Sequence, residues 1–213
     1  MRQGVPEPDS VVMMFSPAVE TDGLMWRLSA DGYGLGHALE ILPDGRRLVS
    51  HGGQNSGWIS HYALVPESGE GIVVLTNSER SFLLIARILA DWARWQGLGG
   101  VKPSQALLGT AVVIRSVAIS LLLVSLTLGG CLAFGLAAGN RGFSLKFRDS
   151  RFPRVVQIVL VFILLRAGWG ITRLGLMELF PVLSVWLFVS LLTCAPVLLL
   201  IALFPGKTAT VTR

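Results

Sequence analysis

The stretch Ser50-His51-Gly52-Gly53-Gln54-Asn55-Ser56-Gly57 lies between segments whose composition is typical of β-strands. Just upstream, Pro43-Asp44-Gly45 predicts a hairpin turn, because proline presets φ and glycine tolerates positive φ. Short polar or glycine-containing segments also bound the other β-like runs. The predicted strands are residues 33–42, 47–50, 58–65 and 71–77. Four consecutive strands joined by short turns predict an antiparallel meander.

A helix is predicted after the last strand, because apolar residues recur there at steps of three and four. These residues are Phe82, Ile85, Ala86, Leu89, Trp92 and Ala93, and the helix is expected to end near Gln96. The apolar stripe should lie on the sheet, with the hydroxyl of Ser78 or Ser81 capping the helix. The run Ile72 to Leu75 is apolar on both faces, which predicts a strand covered on both sides in the sheet interior. The predicted fold class of this part is α+β.

The second half of the chain has the composition of a membrane protein. The whole sequence is 52% hydrophobic and only 15% charged, which is too apolar for a purely soluble protein. Three apolar runs, at 117–138, 155–172 and 182–204, are candidate spans, because about 20 residues cross a ~30 Å hydrocarbon layer. Arg166 lies within the second run, and snorkelling or pairing with Glu178 is its expected role. The glycine- and proline-containing segment 97–105 predicts a linker between a domain at 1–96 and a membrane domain at 106–213.

The basic residues predict an orientation in the membrane. The net charge is +5, and five basic residues cluster in the loop between the first two spans: Arg141, Lys146, Arg148, Arg151 and Arg154. Such a loop is expected to be cytoplasmic, and so is the C-terminal tail with Lys207 and Arg213. The first hundred residues would then lie outside the cytoplasm. Because the basic residues follow the loops, membrane lipid is the expected partner and a nucleic-acid partner is not predicted.

Three segments occur in an order that resembles a known enzyme superfamily. Tyr33-Gly34-Leu35-Gly36, His51-Gly52-Gly53 and Val73-Val74-Leu75-Thr76-Asn77 are similar to the C-terminal part of serine hydrolases of the β-lactamase and penicillin-binding-protein superfamily, in particular its class C β-lactamase-like branch. In that branch a strand carrying Lys-Thr-Gly or His-x-Gly forms one wall of the active site. The resemblance covers about residues 23–95 and implies a partial β-lactamase-like domain, an antiparallel sheet with a covering C-terminal helix.

The resemblance also implies site residues. His51 would hold a substrate carboxylate or assist proton transfer as a catalytic residue, while Gly52, Gly53 and Asn55 would contact the substrate. A structural histidine satisfied by a hydrogen bond is the competing interpretation of His51. The other two histidines lack this context and are expected to be structural.

The superfamily's catalytic motifs are missing from this sequence. No serine is followed three residues later by lysine, and no Tyr-x-Asn or Ser-x-Asn occurs. The chain is therefore expected to be the C-terminal portion of a membrane-anchored hydrolase of ester, amide or peptide bonds, inactive alone. A non-catalytic membrane protein whose outer domain binds a ligand or partner is the alternative, and the oligomeric state stays open.

No cofactor and no metal site are predicted. Cys131 and Cys194 lie in apolar runs, where buried small side chains are expected rather than a metal pair. The glycines of Gly32-Tyr33-Gly34-Leu35-Gly36 lack the spacing of a dinucleotide-binding loop.

Overall fold

The computed structural model describes residues 8–20, 22–23, 28–144, 151–173 and 176–207. The chain divides into two compact units, Met1–Ala111 and Val112–Arg213. The first unit contains α1 (Pro8–Met14), β1 (Val19–Glu20), β2 (Gly32–Tyr33), β3 (Ala38–Ile41), β4 (Arg47–Asn55), β5 (Trp58–Val65), β6 (Glu70–Thr76) and α2 (Phe82–Trp95). Helix α3 (Lys102–Ala137) begins in this unit and continues into the second, which also contains α4 (Arg151–Arg173), α5 (Leu176–Leu179) and α6 (Pro181–Leu203). The predicted combination of an α+β part with long apolar helices is confirmed.

The sheet has six antiparallel strands in sequence order, β1 to β6. The predicted strand 33–42 is two strands, β2 and β3, which pair with each other through a tight turn. Gly36 has a φ of 86°, and the backbone N–H of Gly34 donates to His37 O at 2.8 Å. A Cβ at Gly34 would collide with Met14 O. The sequence pattern does not predict this turn, because Gly34 and Gly36 are also compatible with the entry to a single strand.

Strand β4 extends beyond the predicted end at Ser50. It continues through His51-Gly52-Gly53 to Asn55, and a two-residue turn at Ser56-Gly57 joins it to β5. Gly57 adopts a φ of 81°, which a residue with a Cβ rarely does. The quoted stretch is thus mostly strand, and only its last two residues form the turn.

The core of the first unit lies between one face of the sheet and α2. The predicted stripe of α2 packs there, with Ile85, Ala86, Leu89, Trp92 and Ala93 buried and Phe82 packed at the margin. The sheet contributes apolar side chains from three consecutive strands. These are Leu48, Ile59, Ala63, Val65, Ile72 and Val74. The predicted position of the α2 stripe on the sheet is confirmed.

The capping prediction for α2 is wrong. Ser81 precedes the helix, but its side chain makes no capping hydrogen bond, because its φ of −90° and ψ of 2° are not the extended backbone that capping needs. The Ser78 hydroxyl accepts a hydrogen bond from the backbone N–H of Arg80, before the helix begins.

The prediction that Ile72 to Leu75 is an interior strand is also wrong. Strand β6 is the last strand of the sheet, and only one of its faces is covered by α2. Val74 is 8% exposed, whereas its neighbours Val73 and Leu75 on the other face are 68% and 77% exposed. An apolar run on both faces therefore leaves an uncovered apolar surface beside an open sheet edge.

Three helices are long and apolar enough to cross a membrane: Lys102–Ala137, Phe152–Ile171 and Pro181–Leu203. They contain nearly all of the predicted spans. Helix α3 begins inside the predicted linker, because Pro103 occupies its first turn, where a missing N–H is tolerated. Of the basic residues used to predict orientation, Lys146, Arg148 and Arg213 lie outside the described residues.

Several side chains of the second unit differ from expectation. Cys194 is buried, but Cys131 is exposed on α3, as an apolar helix surface facing lipid allows. Arg166 and Glu178 are both exposed and do not form an ion pair with each other.

The opposite environments of two adjacent valines give a matched test of the uncovered face. Val74→Thr should lower the local free energy of unfolding by about 1–3 kcal/mol, because it buries a hydroxyl in an apolar core. Val73→Thr should change it by less than about 0.5 kcal/mol, since that side chain faces solvent. Hydrogen–deuterium exchange of the β5 and β6 amides, in the full chain in mild detergent, measures both. Equal losses for the two variants would contradict the uncovered face.

Candidate functional site

The second half of β4 is paired on one side only. Strand β3 pairs with β4 from Arg47 to Ser50, whereas β5 pairs with it from Val49 to Asn55. Within the described sheet, residues 51–55 therefore have backbone N–H and C=O groups that no neighbouring strand binds on the β3 side. Because residues 52 and 53 are glycines, no side chain shields this short edge. Such an edge can bind an extended substrate or peptide through main-chain hydrogen bonds.

Strand alternation places the predicted site residues on two faces. His51, Gly53 and Asn55 share one face, and Gly52 lies on the other. The packing agrees with this assignment, because a Cβ at Gly52 would lie 3.2 Å from His61 Nδ1 and one at Gly53 would lie 2.7 Å from Ser60 Oγ. The predicted residues are thus neighbours along the strand, but their side-chain positions do not converge.

A cavity of about 380 Å³ lies on the α2 face of the sheet, entirely within the first unit. Its walls are the second half of β4, part of β5, the start of α2 and the first turns of α3. Apolar side chains dominate the lining, and a few polar groups project among them. The polar residues are Ser29, Tyr33, Ser50, His51, Gln54, Ser60, His61 and Ser104, and His51 borders the cavity where β4 reaches the open edge. A mostly apolar cavity with a few polar groups is the usual form of a small-molecule site.

His61 is the polar residue of this cavity that sequence reasoning missed. It is half-buried and, among the described residues, has no hydrogen-bond partner. Burial, together with the nearby positive charge of His51, lowers the pKa of His61 below its usual 6.5. The ring is therefore neutral at pH 7, and a neutral imidazole can accept or donate a proton. The hairpin could have indicated His61 from sequence. A two-residue turn between β4 and β5 fixes their register and places His61 opposite Gly52.

Ser104 is a second polar group that the sequence did not single out. Its side chain is buried, and its hydroxyl has no partner in the described part of the chain. A buried hydroxyl without a partner is costly, so it is available to a ligand that enters the cavity. Sequence patterns do not indicate this role, because Ser104 lies in the segment predicted to be a linker.

The side chain of His51 is exposed on the opposite face, beside a second histidine. Its ladder partner is Tyr62, whose hydroxyl is hydrogen-bonded to His37 Nδ1. The ring of Phe15 contacts His37 edge-on at a centroid distance of 5.4 Å. Burial, followed by the positive charge of His51, lowers the pKa of His37. His37 is thus held by its packing, as expected for a structural histidine, while His51 is accessible.

Asn55 lies at the end of β4 and lines a different cavity, of about 430 Å³. Gly53, Trp58 and Leu75 also line this cavity, which opens on the uncovered face of the sheet. Gly53 is the predicted substrate-contacting residue that borders both cavities. In the described residues, no group of three His, Cys, Asp or Glu side chains has the geometry to hold a metal ion.

A buried carboxylate lies next to the cavity wall formed by α3. Both side-chain oxygens of Glu40 accept the backbone N–H of Lys102, at 3.0 and 3.1 Å, at the first residue of α3. The Lys102 ammonium pairs instead with Asp31. Burial raises the pKa of Glu40 to about 7, against the opposing effects of Lys102. The carboxyl group is thus half-protonated near neutral pH while holding the start of the helix.

The Glu40 carboxyl predicts a pH-dependent stability. Its pKa is higher in the folded protein than the 4.5 of a free glutamate, so its contribution is most favourable below about pH 4.5 and declines as the pH rises to about 7. Glu40→Gln should match wild type at pH 4 and exceed it by about 3 kcal/mol at pH 8. Hydrogen exchange of the β3 and early α3 amides reports the difference. Glu67→Gln, at an exposed carboxylate paired with Arg47, is the control and should not gain stability at pH 8.

In comparisons with known proteins, no family model matches the chain, and no curated protein or solved structure matches it either.

Proposed function

We propose that this chain is the C-terminal portion of a membrane-anchored serine hydrolase related to β-lactamases. It would act on ester, amide or peptide bonds outside the cytoplasm, with the nucleophile supplied by a segment that these 213 residues do not contain. The observation that supports this most directly is the half-paired strand at His51-Gly52-Gly53. Its free backbone groups can align an extended substrate, and its glycines let the substrate approach the main chain.

The residues of the strand have distinct roles in this proposal. The backbone of Gly52 and Gly53 binds the substrate next to the reacting bond, which fixes its position relative to the nucleophile. The exposed His51 side chain provides a hydrogen-bond donor or a positive charge for a substrate carboxylate or for the developing oxyanion. Asn55 contacts the substrate farther along the same face. The uncovered apolar side chains Val73 and Leu75, next to the open β6 edge, provide a surface on which the nucleophile-bearing segment would pack.

A ligand-binding role without catalysis is the second candidate. It is favoured by the cavity on the α2 face, where neutral His61 and the buried hydroxyl of Ser104 provide polar contacts. A nucleophile motif is not needed for this role. The two functions use adjoining surfaces: the hydrolase uses the open edge of β4, and the binding module uses the cavity behind it, which His51, Gly52 and Gly53 also border. Variants at His51 and His61 discriminate between them, because the hydrolase needs the exposed His51 side chain and the binding module needs the His61 ring.

The hydrolase proposal predicts unequal effects of the two histidines. When the enzyme is assembled by supplying an in-frame Ser-x-x-Lys segment encoded upstream, His51→Ala should lower kcat/KM about 10²- to 10³-fold, with little change in Tm. His61→Ala should change kcat/KM by only a few-fold. Hydrolysis of a chromogenic ester and labelling by a fluorophosphonate probe measure the activity. An unchanged rate for His51→Ala, or a loss that follows unfolding, contradicts the active-site role.

A variant at Gly53 tests the close approach of substrate to the strand. Gly53→Ala alone would also press on Ser60 Oγ, so the substitution is combined with Ser60→Ala to remove that contact. The double variant should lose activity through a raised KM, whereas Ser60→Ala alone should retain it. If no upstream Ser-x-x-Lys segment is encoded, the hydrolase proposal fails and the binding role remains.

The orientation in the membrane is part of the same proposal. The basic residues between α3 and α4 are assigned to the cytoplasm, which places the first unit outside and the C-terminus inside. A reporter that is active only outside the cytoplasm should be active when fused near Gly97 and silent when fused near Arg148. A fusion after Arg213 should also be silent. The opposite pattern contradicts the orientation, and the hydrolase would then not meet substrates outside the cell.

A further inference from the structure

Helices α3 and α6 are tied together at one end. The Arg141 guanidinium donates from Nη1 to Phe204 O at 3.1 Å, just after the two helices end. Backbone hydrogen bonds from Lys207 N to Asn140 O and from Ser144 N to Leu203 O, at 2.8 and 3.0 Å, close the same end. The two helices therefore run in the same direction and meet at their C-terminal ends.

Toward their N-terminal ends, a cavity of about 360 Å³ separates the same two helices. One wall is a face of α3 with helical spacing, formed by Arg115, Ala118, Ile119 and Leu122. The other wall is the first part of α6, formed by Val182, Leu183 and Trp186. Both walls belong to the second unit, whose helices are apolar enough to lie in lipid. When such helices lie in a bilayer, an apolar cavity that opens between them is accessible to lipid acyl chains.

Arg115 is the charged residue that lines this cavity. Its side chain is exposed, and in the described part of the chain it makes no hydrogen bond or ion pair. The sequence from residue 112 onward contains ten basic residues but two acidic ones, Asp149 and Glu178. Glu178 is exposed without an ion pair to Arg115, and Asp149 lies outside the described residues. Within the described residues, the guanidinium therefore has no protein anion that neutralises it.

Arg115 lies at the edge of a charge-free apolar run, where a membrane-spanning helix would reach the lipid headgroups. It lies two residues before the charge-free run 117–138, so the hydrocarbon region begins next to it. Trp186, which faces the same cavity and is 56% exposed, has an indole N–H that prefers the polar boundary of the bilayer. The planar guanidinium can bind two phosphate oxygens at once.

We propose that this cavity binds an anionic phospholipid, with one acyl chain between α3 and α6 and the phosphate paired with Arg115. The apolar walls provide no other polar side chain than the Trp186 indole, so they recognise hydrocarbon, and the single cation selects an anionic headgroup. The bound lipid fills the space that the two helices leave open, and it supplies an anion that the described part of the protein does not place beside Arg115. The site is independent of the hydrolase proposal, because none of its residues belongs to the first unit.

The test uses the full chain in an uncharged detergent, titrated with phosphatidylglycerol and monitored by native mass spectrometry. Phosphatidylcholine with the same acyl chains is the comparison for headgroup charge. Arg115→Gln should weaken phosphatidylglycerol binding at least about tenfold, as expected for loss of a charge-assisted hydrogen bond. Arg115→Lys should restore part of the affinity. Arg166→Gln is the matched control, because it removes another exposed arginine from an apolar helix without touching this cavity, and it should bind like wild type.

Brominated acyl chains locate the bound lipid. Phosphatidylglycerol with brominated chains should quench tryptophan fluorescence in wild type, and Trp186→Phe should reduce the quenched fraction. Inorganic phosphate, added at a concentration far above that of the lipid, should not displace it, because phosphate has no acyl chain for the apolar walls.

Four results would overturn the proposal. These are equal loss of binding in Arg115→Gln and Arg166→Gln, displacement by inorganic phosphate, equal affinity for phosphatidylcholine, and quenching that Trp186→Phe leaves unchanged. The first would assign the effect to overall charge, and the second to a simple anion site.

Discussion

The alternation of side chains along β4, β5 and β6 is the constraint on which the first unit depends. One helix, α2, packs on these strands, so only the side chains that point toward it are removed from water. Val74 contributes to the core for this reason, and Val73 does not. A shift of the ladder by one residue would exchange the two sets and expose the core. The two-residue turn at Ser56-Gly57 fixes the register of β4 against β5, and therefore decides which face each site residue occupies.

The same constraint separates the two histidines that could take part in chemistry. His51 and His61 lie on adjacent strands, yet alternation directs one to the accessible face and the other into the cavity behind the sheet. Gly52 allows the His61 ring to lie against β4, because any side chain there would occupy that space. The glycines thus serve both surfaces: they expose the edge of β4 on one side and accommodate His61 on the other. The open edge and the cavity therefore adjoin each other, with His51, Gly52 and Gly53 bordering both.

Local patterns predicted most of the elements, while the surfaces they form depended on long-range contacts. Strand Trp58–Val65 and the buried stripe of α2 follow from residues close in sequence, and both agree with the structure. The exposure of Val73 could not be predicted in the same way, since it depends on whether another element covers the second face of the sheet. Similarly, His61 and Ser104 are 43 residues apart and line one cavity only because α3 starts beside the sheet. The half-paired edge at residues 51–55 arises because the tight turn before β3 delays the start of that strand to Ala38, which pairs with Ser50. The sequence pattern did not reveal this turn.

Exposed apolar surface has a different meaning in the two units if the three long apolar helices cross a membrane, as their length and composition allow. On α3, α4 and α6, side chains such as Phe134 and Phe162 face outward without cost, since lipid tails are as apolar as they are. On the sheet of the first unit, Val73 and Leu75 are exposed in the same way, and apolar surface left in water costs about 25 cal/mol for each Å². The cost of exposing a polar group is reversed. Water can solvate the open edge of a strand, whereas a guanidinium on a helix in lipid must pair with an anion or reach the interface. The groups that a binding partner would stabilise are therefore the apolar side chains Val73 and Leu75 in the first unit and the Arg115 guanidinium in the second.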